Sequence, residues 1–419
     1  MLRKVIDLKS DIAVLDLGTN TICVTIAKND QKSEEAEIRI IGVGYQLAKG
    51  IKRGAITNLE ELEDSILNAI STAEKEAQKS IKSILVALPS WAIESQAVRN
   101  SIAIGQIPVD DIHLNSLSNC DAAQYILNSV EVIHVFPISY SIDETDGIQD
   151  PIGMVGDKLS AVFHIITAKS SLIKNIKNCL NRNNIEIKGF ISSTYASGLS
   201  VLLPDEISSG VTLIDIGGST TVIACYYERK LLYISAIPVG GNNITKDIAT
   251  ILRTSSSNAE RLKILYGAAS GSASNDEEQI LVPRIDEYGE EHIQNVSKTM
   301  LDSIISSRLE ETFELIQKHI SECGADKALL QRIVITGGGS RIAGISDLMK
   351  AKRFFGNAFV RLGKPIRAIG SHDFVQTASF SSAAGSVLYC MNELFNNNFL
   401  SSSRKSIWQK IVTWVKRGI

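Results

Sequence analysis

No two cysteines in this chain lie close enough to share a metal. The six stand at 23, 120, 179, 225, 323 and 390, never nearer than 46 residues. That excludes a C-x-x-C redox centre and a zinc knuckle. They read as small buried hydrophobes in a reducing cytoplasm. The six histidines are scattered, none in a metal-ligand spacing. Apolar runs of about 18 residues are missing, so no helix is expected to span a membrane. The start, MLRKVIDLKSDIAVLDLG, lacks the apolar core of a secretion signal, and Asp7 and Asp11 interrupt it. An excess of one charge is missing too: 43 Lys+Arg against 46 Asp+Glu leave a net −3. On average, that argues against a basic surface for nucleic acid or anionic lipid. What the chain has is apolar material, 44% of 419 residues, enough to offset the entropy of ordering. The length suggests roughly two to four domains of about 100–200 residues.

Strand-like and helix-like runs alternate, which favours an α/β class. Residues 11–28 hold IAVLDLGTNTICVTIAK, two apolar runs around a turn at 18–21. Helical spacing follows over 59–80, through Leu62, Ile66, Ala69, Ile70 and Ala73. SILVALPS reads as a strand stopping at Pro89, and 109–130 as a helix. VIHVFPISYSI and LSAVFHIITA are strands, and 170–182 a helix. The opening pattern then returns in VTLIDIGGSTTVIACYYERKLLYISAIPVGG. Residues 243–267 read as helix, 268–295 as polar loop and 296–322 as helix. IVITGGGSRIAGISDLM reads strand, glycine loop, helix; the chain is then helical to about Met391.

Two turns carry chemistry. Asp16-Leu17-Gly18-Thr19-Asn20-Thr21 joins two strands, and Asp215-Ile216-Gly217-Gly218-Ser219-Thr220 does the same 199 positions later. Glycines let the backbone approach an anion and turn N–H groups toward it. The hydroxyls of Thr19, Ser219 and Thr220 add hydrogen bonds. An Asp at the strand end can hold Mg²⁺ through water, because Mg²⁺ keeps most of its shell. Two such hairpins face to face would grip a triphosphate. One D-x-G turn is usually only a turn; the duplication makes it a signal. The third element is Gly337-Gly338-Gly339-Ser340 after Thr336, where a nucleoside can come close to the backbone at a helix start. No Walker loop occurs, and no G-x-G-x-x-G follows the first strand.

The order hairpin, hairpin, glycine loop resembles the actin, heat-shock-chaperone and sugar-kinase superfamily. Several segments narrow the likeness to the FtsA family of bacterial cell division: IIGVGYQLAKGIKRGAITNLEELEDSI, SILVALPS, VIHVFPISYSIDETDGIQDPIGM, VFHIITAK and IPVGGNNITKDIA. The resemblance covers nearly the whole chain. It implies an actin-like α/β fold, two ribonuclease-H-like domains facing across a nucleotide cleft, with an inserted 1C domain and a C-terminal amphipathic helix. It implies subdomain 1A over 1–83 and 168–205, 1C over 84–167, 2A over 206–245 and 312–390, and 2B over 246–311. A linker over 391–403 and a membrane helix over 404–419 complete the division. It implies ATP with Mg²⁺, filaments of the chain itself on the cytoplasmic face of the inner membrane, FtsZ as partner, and other division proteins on 1C. Turnover is expected to be weak at most, with Asp16 and Asp215 orienting Mg²⁺ and water. Nucleic acid is not an expected partner. Ser219 stands where the family often has a third glycine, adding a Cβ near the phosphates.

AERLK is similar to a segment lining the nucleoside pocket of related bacterial actins, which points to Glu260 and Lys263; an ordinary i,i+3 pair on a helix face is the other reading. Arg308 and Glu311 fit an I-x-x-R-x-x-E pattern of the helix that meets the FtsZ tail, and here too an i,i+3 ion pair is the alternative.

The last 19 residues, SSSRKSIWQKIVTWVKRGI, reverse the charge argument. They carry +5 with no acid, which leaves −8 on the preceding 400 residues. At helical spacing Ile407, Trp408, Ile411, Val412, Trp414 and Val415 share one arc, and Lys410, Lys416 and Arg417 lie opposite. Two of the three tryptophans are here, and Trp favours the membrane interface. Too short to span, such a helix lies flat with its lysines toward anionic headgroups. Polar runs at 396–398 and 401–403 separate it from the body. Two rivals stand: a soluble sugar or carboxylate kinase of the same superfamily, and a pilus-assembly actin-like protein. Neither needs this tail.

Overall fold

The computed structural model describes residues 11–28, 38–52, 55–119, 129–269, 278–285, 291–322, 327–366, 368–370 and 373–399. Two mixed sheets repeat one plan. The first runs Glu186–Ser192, Ser83–Leu88, Ile12–Leu17, Thr21–Lys28, Ile38–Leu47, Ala368–Ile369. The second runs Phe359–Leu362, Arg332–Thr336, Val211–Ile216, Thr221–Tyr227, Lys230–Ile237. In each, three consecutive strands form an antiparallel meander. Two later strands then add in parallel beside the first. The duplicated hairpins occupy the same place in each sheet.

The central strands are apolar on both faces because both faces are covered. On one face of the first sheet, Ala13, Leu15 and Leu17 pack with Leu62, Ile66 and Ile70 of helix Leu59–Ala77. That helix starts at Asn58, whose side chain accepts from the Glu60 and Glu61 amides, and stops at Gln78 in the left-handed region. The other face shares one core with the second sheet. Ile12 and Val14 meet Val211 and Leu213 there through helices Ser193–Val201 and Ser381–Phe399. Those helices touch backbone to backbone: a Cβ on Gly385 would overlap the Ala196 carbonyl. The two halves therefore meet on a closely packed helix pair. The outer face of the second sheet, Ile214, Ile216 and Ile223, packs under helices Gly241–Leu252 and Lys298–Glu322.

An insertion interrupts the first half. Strands Ile93–Ala103, Lys158–Lys169, Val130–Ile142 and Thr145–Ile148 form an antiparallel sheet in that order, with helix Asp111–Asn119 beside it. Phe163, Leu117 and Leu159 centre its own core. The expected start at 84 is too early: Ser83–Leu88 pairs with Ile12–Leu17, and the chain leaves the first sheet through the turn Ser90–Ala92.

Four more expectations change. The helix over 243–267 is two, Gly241–Leu252 and Ser256–Leu265, broken at Arg253 in the left-handed region and restarted by the Ser255 cap. The segment 268–295, read as loop, carries the hairpin Gln279–Ile285 and Glu291–Ser297. The last helix runs on through Asn396, Asn397 and Asn398 to Phe399, so most of the expected linker 391–403 is helical. Asn costs a helix only about 0.7 kcal/mol relative to Ala, too little to end one that packs against the body. Finally, Ala368–Ile369 joins the first sheet, so 312–390 does not stay in the second half. No described helix is long and apolar enough to cross a membrane.

Candidate functional site

The two turns are built alike. Gly18 N–H donates to Thr21 O at 2.9 Å, and Gly217 N–H to Thr220 O at 2.9 Å. Their tips touch across the two halves. The Thr19 and Ser219 hydroxyls are 2.8 Å apart. Asn20 Nδ2 donates to Asn242 Oδ1 at 2.6 Å, and Asn242 Nδ2 returns a bond to Asn20 Oδ1 at 2.8 Å. The Thr220 hydroxyl meets that of Ser90 at 2.8 Å.

Behind the tips lie the two carboxylates. Asp16 accepts from the Ser382 hydroxyl at 3.0 Å, and Asp215 from that of Ser197 at 2.8 Å. Both hydroxyls come from the helix pair that joins the halves. Burial pushes the Asp16 carboxyl up to about 7, with the Asp215 charge adding to the rise against the Ser382 bond. Burial raises Asp215 as well, against the Ser197 bond. Two carboxylates pressed toward neutrality in one place are a setting that a divalent cation relieves. No cluster of three or more His, Cys, Asp or Glu fit for a metal forms among the described residues. The pair therefore suits a cation that takes its remaining ligands from water and phosphate, as Mg²⁺ does.

The Asp16 shift has a measurable consequence. Between the ordinary 3.8 and about 7, the folded chain holds a proton that the unfolded chain has released. Stability from this group is full at low pH and falls as pH rises toward 7. Asp16→Asn cannot ionise and still accepts from Ser382. Its melting temperature, measured without nucleotide from about pH 4 to pH 8, falls less steeply than that of the wild type. Parallel curves would contradict the shift.

The glycine loop closes the site beside Asp215. Gly337 has φ +86, and a Cβ there would strike Asp215 Oδ1. Ser340 folds back, its hydroxyl on Gly337 O at 2.7 Å. Gly338 has nothing within 4 Å of a built Cβ, so its face is open to a ligand. The expected helix start is instead the tight turn Gly338–Arg341, with helix Ile345–Ala351 following.

Residues 240–242, quoted above within the segment IPVGGNNITKDIA and given no site role there, support the candidate site. The Gly241 and Asn242 amides donate to Gly217 O at 2.9 Å and Gly218 O at 2.8 Å. The first turn of helix Gly241–Leu252 thus holds the second hairpin in shape. The doubled glycine at 240–241, after a strand and before a helical run, was the available signal. Glu260 and Lys263 do form the i,i+3 pair, at 2.7 Å. The pair also reaches that same helix start: Lys263 Nζ donates to Thr245 Oγ1 at 2.8 Å and Gly241 O at 3.1 Å.

Arg308 and Glu311 lie elsewhere, on helix Lys298–Glu322. Arg308 bonds Glu311 at 2.6 Å and grips both oxygens of Asp247. The Asp247 bonds raise its pKa further. Glu311 is 56% exposed at its side chain. The tail residues Ile407, Trp408, Lys410, Ile411, Val412, Trp414, Val415, Lys416 and Arg417 lie outside the described residues.

Two family models match the chain: "Cell division protein FtsA" over residues 212–385, and "SHS2 domain inserted in FTSA" over 92–167. The latter coincides with the inserted sheet. The chain is 31% identical to a cell division protein FtsA of Agrobacterium fabrum over 385 residues, 90% of this chain and 86% of that one. It is 29% identical to the protein of that name from Escherichia coli K12 over 410 residues, 96% and 95% of the two chains. Among solved structures, a PilM-PilN type IV pilus biogenesis complex superposes with TM-score 0.67 at 14% identity, covering 91% of this chain and 99% of that one. MreB5 of Spiroplasma citri bound to ADP gives 0.56 at 14% identity, covering 94% and 99%. These structural likenesses establish the actin-like fold.

Proposed function

The chain belongs to the FtsA family of cell-division proteins, and from that premise we propose that it is a nucleotide-dependent membrane adaptor. It binds ATP with Mg²⁺ between the two hairpins, assembles into filaments on the cytoplasmic face of the inner membrane, and ties FtsZ filaments to that membrane at the division site. One observation carries the nucleotide reading: two like-built hairpins meet tip to tip, Thr19 on Ser219 and Asn20 on Asn242, with Asp16 and Asp215 behind them. Hydroxyls, amides and a paired carboxylate on both sides suit a polyphosphate and its cation. Gly18, Thr19 and Asn20 face it from one half, and Gly217, Gly218, Ser219 and Thr220 from the other. Residues 337–340 take the nucleoside end, with Glu260 and Lys263 holding the second hairpin's support. A ligand joining two halves that share one helix pair favours the closed arrangement, so the nucleotide acts chiefly on conformation.

The partner surface includes helix Lys298–Glu322. Arg308 is committed to Asp247, so exposed Glu311 is the freer of the two to meet FtsZ. The inserted domain receives the other division proteins, and residues 404–419 hold the membrane.

Electron microscopy on an anionic lipid layer tests this reading. With ATP the chain forms filaments on the lipid, and added FtsZ filaments collect on them. FtsZ bound equally to lipid alone, or absent from the coated lipid, overturns it.

A further inference from the structure

The inserted domain is fastened to both halves of the molecule. Toward the first half, His134 Nε2 accepts from the Ser192 amide at 3.1 Å, and Glu131 pairs with Lys177 at 3.1 Å. Toward the second half, three bonds converge on one strand. Ser95 Oγ donates to Ile234 O at 2.8 Å. His164 Nδ1 lies 3.2 Å from Leu231 O. Lys230 Nζ reaches back to Ile138 O at 2.7 Å. Burial drives the His164 pKa down to about 4, so the ring is neutral and Nδ1–H donates.

That strand, Lys230–Ile237, is the outer edge of the second sheet. It pairs with Thr221–Tyr227, Ile237 opposite Thr221 at the phosphate hairpin and Lys230 opposite Tyr227 at the far end. A second link is direct. Ser90, in the turn where the chain passes from the first sheet into the inserted domain, bonds Thr220 of the hairpin at 2.8 Å. A body bonded to two halves cannot stay still when they turn about their shared helix pair. It follows one half and slides on the other.

We propose that the inserted domain is a reporter of nucleotide state, seated on strand Lys230–Ile237 by Ser95, His164 and Lys230 and linked to the second phosphate hairpin through Ser90 and Thr220. ATP that closes the hairpins fixes this seat, and loss of ATP frees it. The surface offered by the inserted domain to partners thus depends on the nucleotide. This rests on the nucleotide reading above. Coupling between two sites is reciprocal, so loosening the seat weakens ATP binding from a distance. Lys230 stands about seven residues along the strand from the hairpin, roughly 20 Å away at about 3.3 Å per residue.

The test uses the full chain with Ser95→Ala, Lys230→Met and the double variant. Thermal melting without nucleotide checks that each folds, and Ser95→Ala, which removes one hydroxyl, stands alone if Lys230→Met melts early. Hydrogen exchange is followed with and without ATP and Mg²⁺, and ATP affinity by calorimetry. In the wild type, ATP slows exchange in Ile93–Ala103 and Lys158–Lys169. In the double variant, that slowing disappears and affinity falls about fivefold or more. Exchange in these strands indifferent to ATP in the wild type, or wild-type affinity in the variants, overturns the coupling. A wild-type chain that does not bind ATP overturns the nucleotide reading itself and the coupling with it, before any variant is made.

Discussion

Deleting residues 404–419 releases the chain from anionic vesicles. All five cations of the last 19 residues lie within that segment, and no acid accompanies them. Each basic residue at an anionic surface contributes about 1 kcal/mol. On the proposed reading, the apolar residues with Trp408 and Trp414 add burial at the headgroup boundary. The first 400 residues carry a net −8, which such a surface repels on average. Trp408→Glu reproduces the deletion, since it places a charge within the apolar arc. Raising salt weakens binding of the intact chain, because about 0.1 M salt already screens charges beyond roughly 10 Å. Co-sedimentation with vesicles measures all three. Equal pelleting of the deleted and intact chains contradicts a membrane role for the tail.

The parts of the fold carried by local pattern were legible in the sequence. The meander strands announce themselves by apolar runs around Gly-rich turns, and helix Leu59–Ala77 by its spacing and its Asn58 start. Helix Ser170–Arg182 was placed to the residue. Pairings made far along the chain were not legible. Ser83–Leu88 looks the same in sequence whether it opens the insertion or serves the first sheet; only its register with Ile12–Leu17 decides. Ala368–Ile369 is two residues long and carries no pattern, yet it returns the chain to the first sheet. The hairpin Gln279–Ile285 and Glu291–Ser297 hides because Pro283, Glu291, His292, Gln294 and Asn295 break the apolar alternation of a two-stranded sheet. The site shows the same division. Asp16, the two turns and the glycine loop stand out as strand-end motifs. The amide pair of Asn20 and Asn242 joins residues 222 positions apart, and no spacing foretells it. Ser197 and Ser382, which bond the two aspartates, sit on helices that read only as packing.

Asp215 brings the energetic argument to one residue. Asp215 is half-buried, bonded by Ser197 and crowded by Gly337, and desolvation raises its pKa. A partly desolvated acid so placed costs the fold something in the absence of a cation. Asp215→Asn keeps an acceptor for Ser197 and removes the charge, so it melts no lower than the wild type near neutral pH. An acid held against such a cost marks a candidate site. Removing a charged group that holds a bound cation through water forfeits about 1.5–3 kcal/mol, so Asp215→Ala loses about tenfold or more in ATP affinity.

Calorimetric titration of ATP and Mg²⁺ into the wild-type chain, Asp215→Asn and Asp215→Ala, each shown to be folded, therefore bears most directly on the account. A saturable isotherm for the wild type, with both variants weakened about tenfold or more, is the result expected. Equal affinity in all three, or no binding by the wild type, contradicts a nucleotide held between the two hairpins.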